Sequence, residues 1–275
     1  SQEFGNWGGG ENMSRKPYSW LVVVGMISLC IGLSGCGKNV DTVAESTVPI
    51  EIGEHVMYGS YQGEPVEWRV LDKKDGEILL LSEYGLDAQP FDTSGKSRVD
   101  WKDSTIRKWL NDDFYNSAFS EKEKENIVES KSEGFEEYNT SMNLTGGGKP
   151  YAYLEREIED KVFLLSNTEL CAYFSEDPYP GCYSDPYAHK ELLCYPTAYA
   201  KQQLETRYQT ETCGWWLCNH VYEDDSVELV SAYGQGSGTS RENIKANTKS
   251  IAVRPAMWVT WQSDMEMVEA NQQVE

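Results

Sequence analysis

Seven cysteines and three histidines are the residues from which nucleophilic, redox or metal chemistry would have to be built. Cys171, Cys182, Cys194, Cys213 and Cys218 crowd the carboxy-terminal half, with His189 and His220 among them. Thiolates and imidazoles at that density suggest zinc, but no Cys-x2-Cys pair is present. No metal site is therefore expected. Outside the cytoplasm these five cysteines would form one or two disulfides or remain buried thiols, and their spacing leaves the partners open. Serine hydrolysis needs a paired base, yet only His55, His189 and His220 exist and none accompanies a Gly-x-Ser-x-Gly turn. Carboxylate pairs for glycoside hydrolysis abound among 45 Asp and Glu, so abundance singles out none. Gly146-Gly-Gly-Lys149 lacks the spacing of a phosphate loop and runs into Pro150. No residue is assigned a catalytic role.

Binding chemistry is better supplied. Nine Trp and 17 Tyr are many for this length, and Tyr combines a flat apolar ring with a polar tip. Between Tyr173 and Tyr195 the chain repeats Asp177-Pro-Tyr179 as Asp185-Pro-Tyr187, with Phe174, Tyr183 and Tyr195 nearby. Such rings either stack on a ligand, a sugar face or a peptide, or fold back as a covering flap. Tyr179, Tyr183 and Tyr187, with Asn219 and His220 on the Trp-rich strand, are the candidate ligand-binding residues. Glu223-Asp-Asp225 offers hard oxygens for calcium, but a solvated acidic turn explains it better and no calcium motif accompanies it. No cofactor is expected. For Trp68, Trp101, Trp109, Trp215, Trp216, Trp258 and Arg254 the expectation is core packing, with the arginine buried and hydrogen-bonded.

The 275-residue chain carries 24 Lys and Arg against 45 Asp and Glu, a net charge of −21 and a pI near 4.5. Nucleic-acid binding is excluded, because phosphate neutralisation needs a basic surface. With 39% hydrophobic residues, the chain must nonetheless fold. The composition does not fix an oligomeric state.

Its amino terminus reads as an address. Met13 is followed by Arg15 and Lys16, an apolar run from Trp20 to Leu33, and Leu33-Ser-Gly-Cys36. That is the layout of a secretory signal, and the run is shorter than a membrane span. The ending resembles the lipobox of bacterial lipoproteins, which implies lipidation of Cys36 and anchorage at the outer face of the cell membrane. Residues 1–12 are expected to be an upstream segment, 13–35 the signal, 36–49 a polar tether, 50–262 one domain and 263–275 a polar tail. Cleavage removes Arg15 and Lys16 along with Glu3 and Glu11, so the net charge stays at −21. An acidic body is repelled by anionic lipid and should stand away from the bilayer.

The elements that must position these residues follow from patterning. His55–Tyr61, Val66–Leu71 and Glu77–Ser82 are strand-like, with Asp75-Gly76 closing a hairpin. Asp103 or Ser104 can cap a helix through Asn111 that turns Ile106, Trp109 and Leu110 inward and Arg107 and Lys108 outward. Ser120-x-x-Glu123 predicts a second helix carrying Ile127 and Val128, and residues 130–150 an exposed loop. Asp160–Ser166 reads as a buried strand, Ser166-x-x-Glu169 as a cap for a helix to Phe174, and Pro196–Leu204 as a helix with proline in its first turn. Gly214–Cys218, Val227–Tyr233 and Ile251–Val259 read as strands, with Pro255 marking an edge or a bulge. Strands, then helices, then strands argue for α+β.

Trp101-x-Asp-Ser-x-Ile-Arg-x-Trp-Leu-Asn111, Asp160-Lys-Val-Phe-Leu-Leu-Ser166, Trp215-Trp-Leu217 and Val253-Arg-Pro-Ala256 occur in that order. Together they resemble a domain of unknown function common in lipoproteins and surface proteins of Gram-positive gut bacteria. The resemblance spans roughly residues 50 to 260. It implies a single C-type-lectin-like domain of antiparallel strands with two to four short helices and long loops, its terminal strands paired. The family usually continues Trp-Trp-Leu with Arg-Ser-Pro, where this chain has Cys218-Asn219-His220. Formylglycine-generating enzymes share the lectin-like fold and bind copper through two cysteines about five residues apart. Cys213 and Cys218 have that separation, but in register Cys218 would be the first of the pair and Glu223 would stand at the second. The expected role is a lipid-anchored recognition module for a cell-surface glycan or protein. The alternatives are an extracytoplasmic enzyme using Cys218, His220 and acidic groups, or a structural envelope protein.

Overall fold

Alternating burial builds the first two strands, and the third is buried from Ile78 to Ser82. Val66, Trp68 and Val70 point into the core while Glu67 and Arg69 stay half-exposed. The computed structural model describes residues 50–96, 99–131, 158–174, 190–205, 211–220, 227–235 and 246–268, all within the unit Ser46–Glu275. Strands β1 (His55–Tyr61), β2 (Glu64–Lys74) and β3 (Glu77–Ser82) form consecutive antiparallel hairpins. Both turns need two left-handed residues, supplied by Gln62-Gly63 and Asp75-Gly76 with φ of 53° and 87°, then 53° and 86°. This backbone matches the right-handed twist of the strands it joins.

The helical layer is held by one buried acid. Ser104 caps α1 (Thr105–Trp109) by accepting from the Arg107 N–H, and a wider helical turn over Leu110–Phe114 leads into α2 (Tyr115–Ala118). Ile106 and Leu110 are buried and Trp109 is half-buried. Arg107 does not simply face water: its Nε donates to Asp160 Oδ1 at 2.7 Å, and Trp101 Nε1 donates to Asp160 Oδ2 at 2.8 Å. Asn111 then holds the next residues, accepting from the N–H of Lys161 and Val162 and donating to the Val162 carbonyl at 2.8 Å. The spacing of Trp101, Arg107 and Asn111 is thus the spacing of three side chains along one helical ledge that grips residues 160–162.

Residues 160–166 are extended and buried from Val162 to Ser166, but they form isolated bridges, Asp160 with Ser130 and Phe163 with Ala256, rather than the strand expected. Ser120 makes a full capping box with Glu123, yet α3 stops at Lys124 (Glu121–Lys124). Ile127 and Val128 form strand β4 instead of continuing the helix, because Val259 and Trp258 offer them a sheet edge. The Ser166/Glu169 box starts α4 (Asn167–Phe174). Helix α5 (Ala198–Gln203) is capped by Thr197, which places Pro196 before the cap and not in the first turn.

Strands β5 (Trp215–His220) and β6 (Val227–Val230) form a separate antiparallel pair. Strands β7 (Ala256–Thr260) and β8 (Glu266–Met267) complete the main sheet, in the order β4-β7-β3-β2-β1-β8, antiparallel throughout. The fold is α+β. Pro255 sits just before β7, an interior strand, and its carbonyl accepts from Ser82 N–H. The segment expected to be a polar tail lays Glu266 and Met267 against β1, so the first and last described strands pair. Four indoles are anchored through their N–H: Trp68 to Tyr58 O, Trp101 to Asp160, Trp215 to Leu192 O and Trp216 to Gln89 O. Among the described residues no helix is long and apolar enough to cross a membrane.

Asp160 has no exposed side-chain surface, so removing it strands both an arginine charge and an indole N–H. Replacing one partner of a buried pair costs about 3–5 kcal/mol. Asp160→Ala should lower the unfolding free energy measured by urea titration by a margin of that size, while Lys108→Ala on the exposed side of α1 should change it by less than about 0.5 kcal/mol.

Candidate functional site

Glu67 and Arg69 alternate with core residues on β2, and β1 brings His55 opposite Arg69. On that face Glu83, just past β3, is the hub. It accepts from Arg69 Nε at 3.0 Å and Arg69 NH2 at 3.1 Å, lies 3.8 Å from His55 Nε2, and lies 3.7 Å from Arg254 NH2. His55 Nδ1 is 2.6 Å from Glu67 Oε1. Burial pulls Arg69 down, but the two-pronged bond from Glu83 outweighs it, and its pKa is raised. A forked arginine–carboxylate pair of this kind fixes orientation as well as charge.

Beside this ledge stand two exposed tyrosines. Gly85 and Pro196 form an isolated parallel bridge, with Gly85 N–H bonded to Tyr195 O, so Tyr84 and Tyr195 occupy matching register positions just before it. Both are exposed, Tyr84 at 38% and Tyr195 at 48%. Burial and the negative charge of Glu67 and Glu83 raise the pKa of Tyr84, so it keeps its phenolic proton. Two aromatic faces with half-buried acids, an arginine and an imidazole beside them offer stacking together with directed hydrogen bonds.

Beneath the ledge is Arg254, with no exposed surface. Its Nε donates to Ser82 O at 2.8 Å and its guanidinium lies 5.0 Å from the centre of the Trp215 ring, as expected of a packed cation over an indole. NH1 and NH2 have no hydrogen-bond partner among the described residues. Burial lowers its pKa, opposed by Cys194 and Glu83.

Family comparison fits this map. A family described as a domain of unknown function (DUF6273) matches residues 75–261. The chain belongs to it. No curated protein and no solved structure matches. The DUF6273 match includes the Trp101–Asn111 ledge, residues 160–166, Trp215–Leu217 and Arg254, whereas His55, Glu67 and Arg69 precede it.

The residues expected to bind ligand are distributed differently. Tyr179, Tyr183 and Tyr187 lie outside the described residues, as do Cys36, Cys182, His189 and Glu223–Asp225, and likewise the side chains of Cys171 and His220. Asn219 is buried, and its Oδ1 accepts from Asn167 N–H at 2.7 Å and lies 3.8 Å from Cys218 Sγ. That oxygen is engaged within the fold. Among the described residues no three His, Cys, Asp or Glu side chains are placed to hold a metal ion.

The acid that joins this second cluster is Glu228 on β6, not the Glu223 turn. Register sets it opposite the bulged stretch between Trp216 and His220. It is buried, its Oε2 is unpartnered, and burial raises its pKa to about 7 against the opposing hydrogen bond of Asn167. Sequence alone gave no sign of Glu228 or of Tyr84, since each acquires its meaning from a distant strand. Tyr195 was visible in the sequence as an aromatic.

In the folded protein Glu228 holds its proton up to about pH 7, against 4.5 for the ordinary carboxyl. Its contribution to stability is therefore full below about pH 4.5 and is lost as pH rises through 7, a change on the order of 3 kcal/mol. Glu228→Gln should match the wild type in calorimetry at pH 4.5 and melt higher than it at pH 8.

Proposed function

We propose that this protein is an extracytoplasmic recognition module, lipidated on Cys36 and held at the outer face of the cell membrane, whose folded domain binds a glycan. A protein ligand is the second possibility for the same surface. The observation that carries the reading is the exposed pair Tyr84 and Tyr195, set in register by the Gly85–Pro196 bridge beside the Glu67, Arg69, Glu83 and His55 ledge. Sugar rings present flat C–H faces to aromatics and a rim of hydroxyls to charged side chains, and this surface offers both complements. A C-type-lectin-like relationship is part of the same proposal, supported by the pairing of β1 with β8. Tyr179, Tyr183 and Tyr187 are further candidate contacts in the same proposal.

An enzymatic reading is favoured only by the protonated, half-unpartnered Glu228 near Cys218 and Asn219. That cluster is buried, which suits a proton reservoir less well than a surface suits a ligand. A structural envelope role would use neither.

The purified chain should be screened on a glycan array and against cell-wall fragments, with Tyr84→Ala/Tyr195→Ala and Tyr179→Ala/Tyr187→Ala as variants. Loss of binding by at least about tenfold in the first variant, with an unchanged melting temperature, is expected, since base or sugar stacking on one ring contributes on the order of 1 kcal/mol. Binding lost only in the second would move the site to the 173–195 segment. Wild-type protein that retains nothing on either surface would refute glycan recognition. Separately, Cys36→Ala should shift the protein from the membrane pellet to the soluble fraction.

A further inference from the structure

Cys194 and Cys213 come from segments 19 positions apart and meet behind Gly85. The backbone brings them together first: Cys213 N–H donates to Cys194 O at 2.8 Å. A bond of that kind sets the two Cα atoms about 5 Å apart, within the span a disulfide requires. The side chains then converge, because a Cβ placed on Gly85 would lie 3.3 Å from Cys213 Sγ and 3.4 Å from Cys194 Sγ. It would also lie 2.8 Å from Ala252 Cβ, so only glycine leaves room for the two sulfurs. Cys213 Sγ is 3.5 Å from Cys194 O, and the two thiols share a hydrogen bond. Cys218, on β5, faces Asn219 instead.

We propose that Cys194 and Cys213 are a disulfide-forming pair, oxidised by exchange with a small-molecule or protein disulfide and poised for that reaction by the buried guanidinium of Arg254. A buried cation with two terminal nitrogens lacking hydrogen-bond partners stabilises a thiolate, and thiolate is the reacting form. Burial alone would raise Cys194, but the hydrogen bond from Cys213 and the charge of Arg254 outweigh it and lower the thiol. The same hydrogen bond, with burial, raises Cys213, which keeps its proton and donates.

The exchange balances in two steps. Cys213 is the thiol with some exposed surface, at 7% against none for Cys194. It passes its proton to the Cys194 thiolate as it attacks the external disulfide, forming a mixed disulfide and releasing one external thiolate. Cys194 then attacks Cys213 Sγ and hands that proton to the second external sulfur, which leaves as a thiol while the protein disulfide forms. The thiol–thiolate pair loses two electrons and one proton, and the external disulfide is reduced to one thiol and one thiolate. The product closes a loop of about 20 residues around α5, a size for which cross-linking restricts the unfolded chain appreciably.

The test is peptide mapping of the full chain after incubation with oxidised glutathione, alkylated and digested without reduction. Trypsin cuts at Lys201 and Arg207, and chymotrypsin at Trp215 or Trp216, so Cys194, Cys213 and Cys218 fall in separate peptides. A Cys194–Cys213 linked peptide is expected. The melting temperature of the oxidised protein should fall by about 5 °C or more when reductant is added, and Cys213→Ser should abolish both signals. Recovery of Cys194 and Cys213 as alkylated thiols, or linkage of either to Cys171, Cys182 or Cys218, would overturn the assignment.

Discussion

One buried carboxylate organises the domain. Asp160 stands where three parts of the chain must meet: the turn carrying Trp101, the helix carrying Arg107, and the edge residue Ser130 with which it exchanges both backbone bonds. A carboxylate taken out of water is tolerated only with charge and hydrogen-bond partners, and these are supplied from residues more than fifty positions away. The next residues are then committed. Asn111 grips Lys161 and Val162, Phe163 pairs with Ala256, and Leu165 O receives Cys218 N–H. The segment 160–166 thereby touches the helical layer, β7 and β5 in succession. That explains why it is extended and buried without belonging to a continuous strand: its backbone groups are satisfied by a side chain and by bridges on different neighbours.

Much of this was legible from local chemistry. Asp75-Gly76 specifies a tight hairpin, Ser104 and Ser120 specify helix starts, and the Trp-Trp strand is written in its composition. Local signals failed where a partner decided the outcome. Ile127 and Val128 follow a capping box and continue a plausible helical face, but as β-branched residues beside β7 they gain a ladder. Glu266 and Met267 lie in a polar run and become a strand because β1 would otherwise be an open edge.

The candidate site was less legible for the same reason. Tyr84 follows β3 and Tyr195 precedes α5, and nothing in either neighbourhood announces that a parallel bridge will set them in matching register. Glu83 and Arg69 are common surface residues in sequence, and become a fixed fork only in the sheet. Conversely, Asn219 looked available on its strand and is spent on the N–H of Asn167. Arg254 was expected to be buried and bonded, and it is bonded through Nε. Its two terminal nitrogens are the part that sequence could not foretell.

Arg254 also ties the outer and inner chemistry together. An arginine with no exposed surface cannot stand on Ser82 O and an indole face alone, because desolvation of a full charge is among the largest local costs in a protein. Glu83 lies at 3.7 Å, and Cys194 and Glu83 both favour the charged guanidinium. Glu83 is shared with Arg69 and half-exposed, so its support for Arg254 weakens as anything draws it outward. The thiol side then carries more of the compensation. A change at the exposed ledge, acting through Glu83, and a change in the charge of the cysteines therefore act on the same guanidinium.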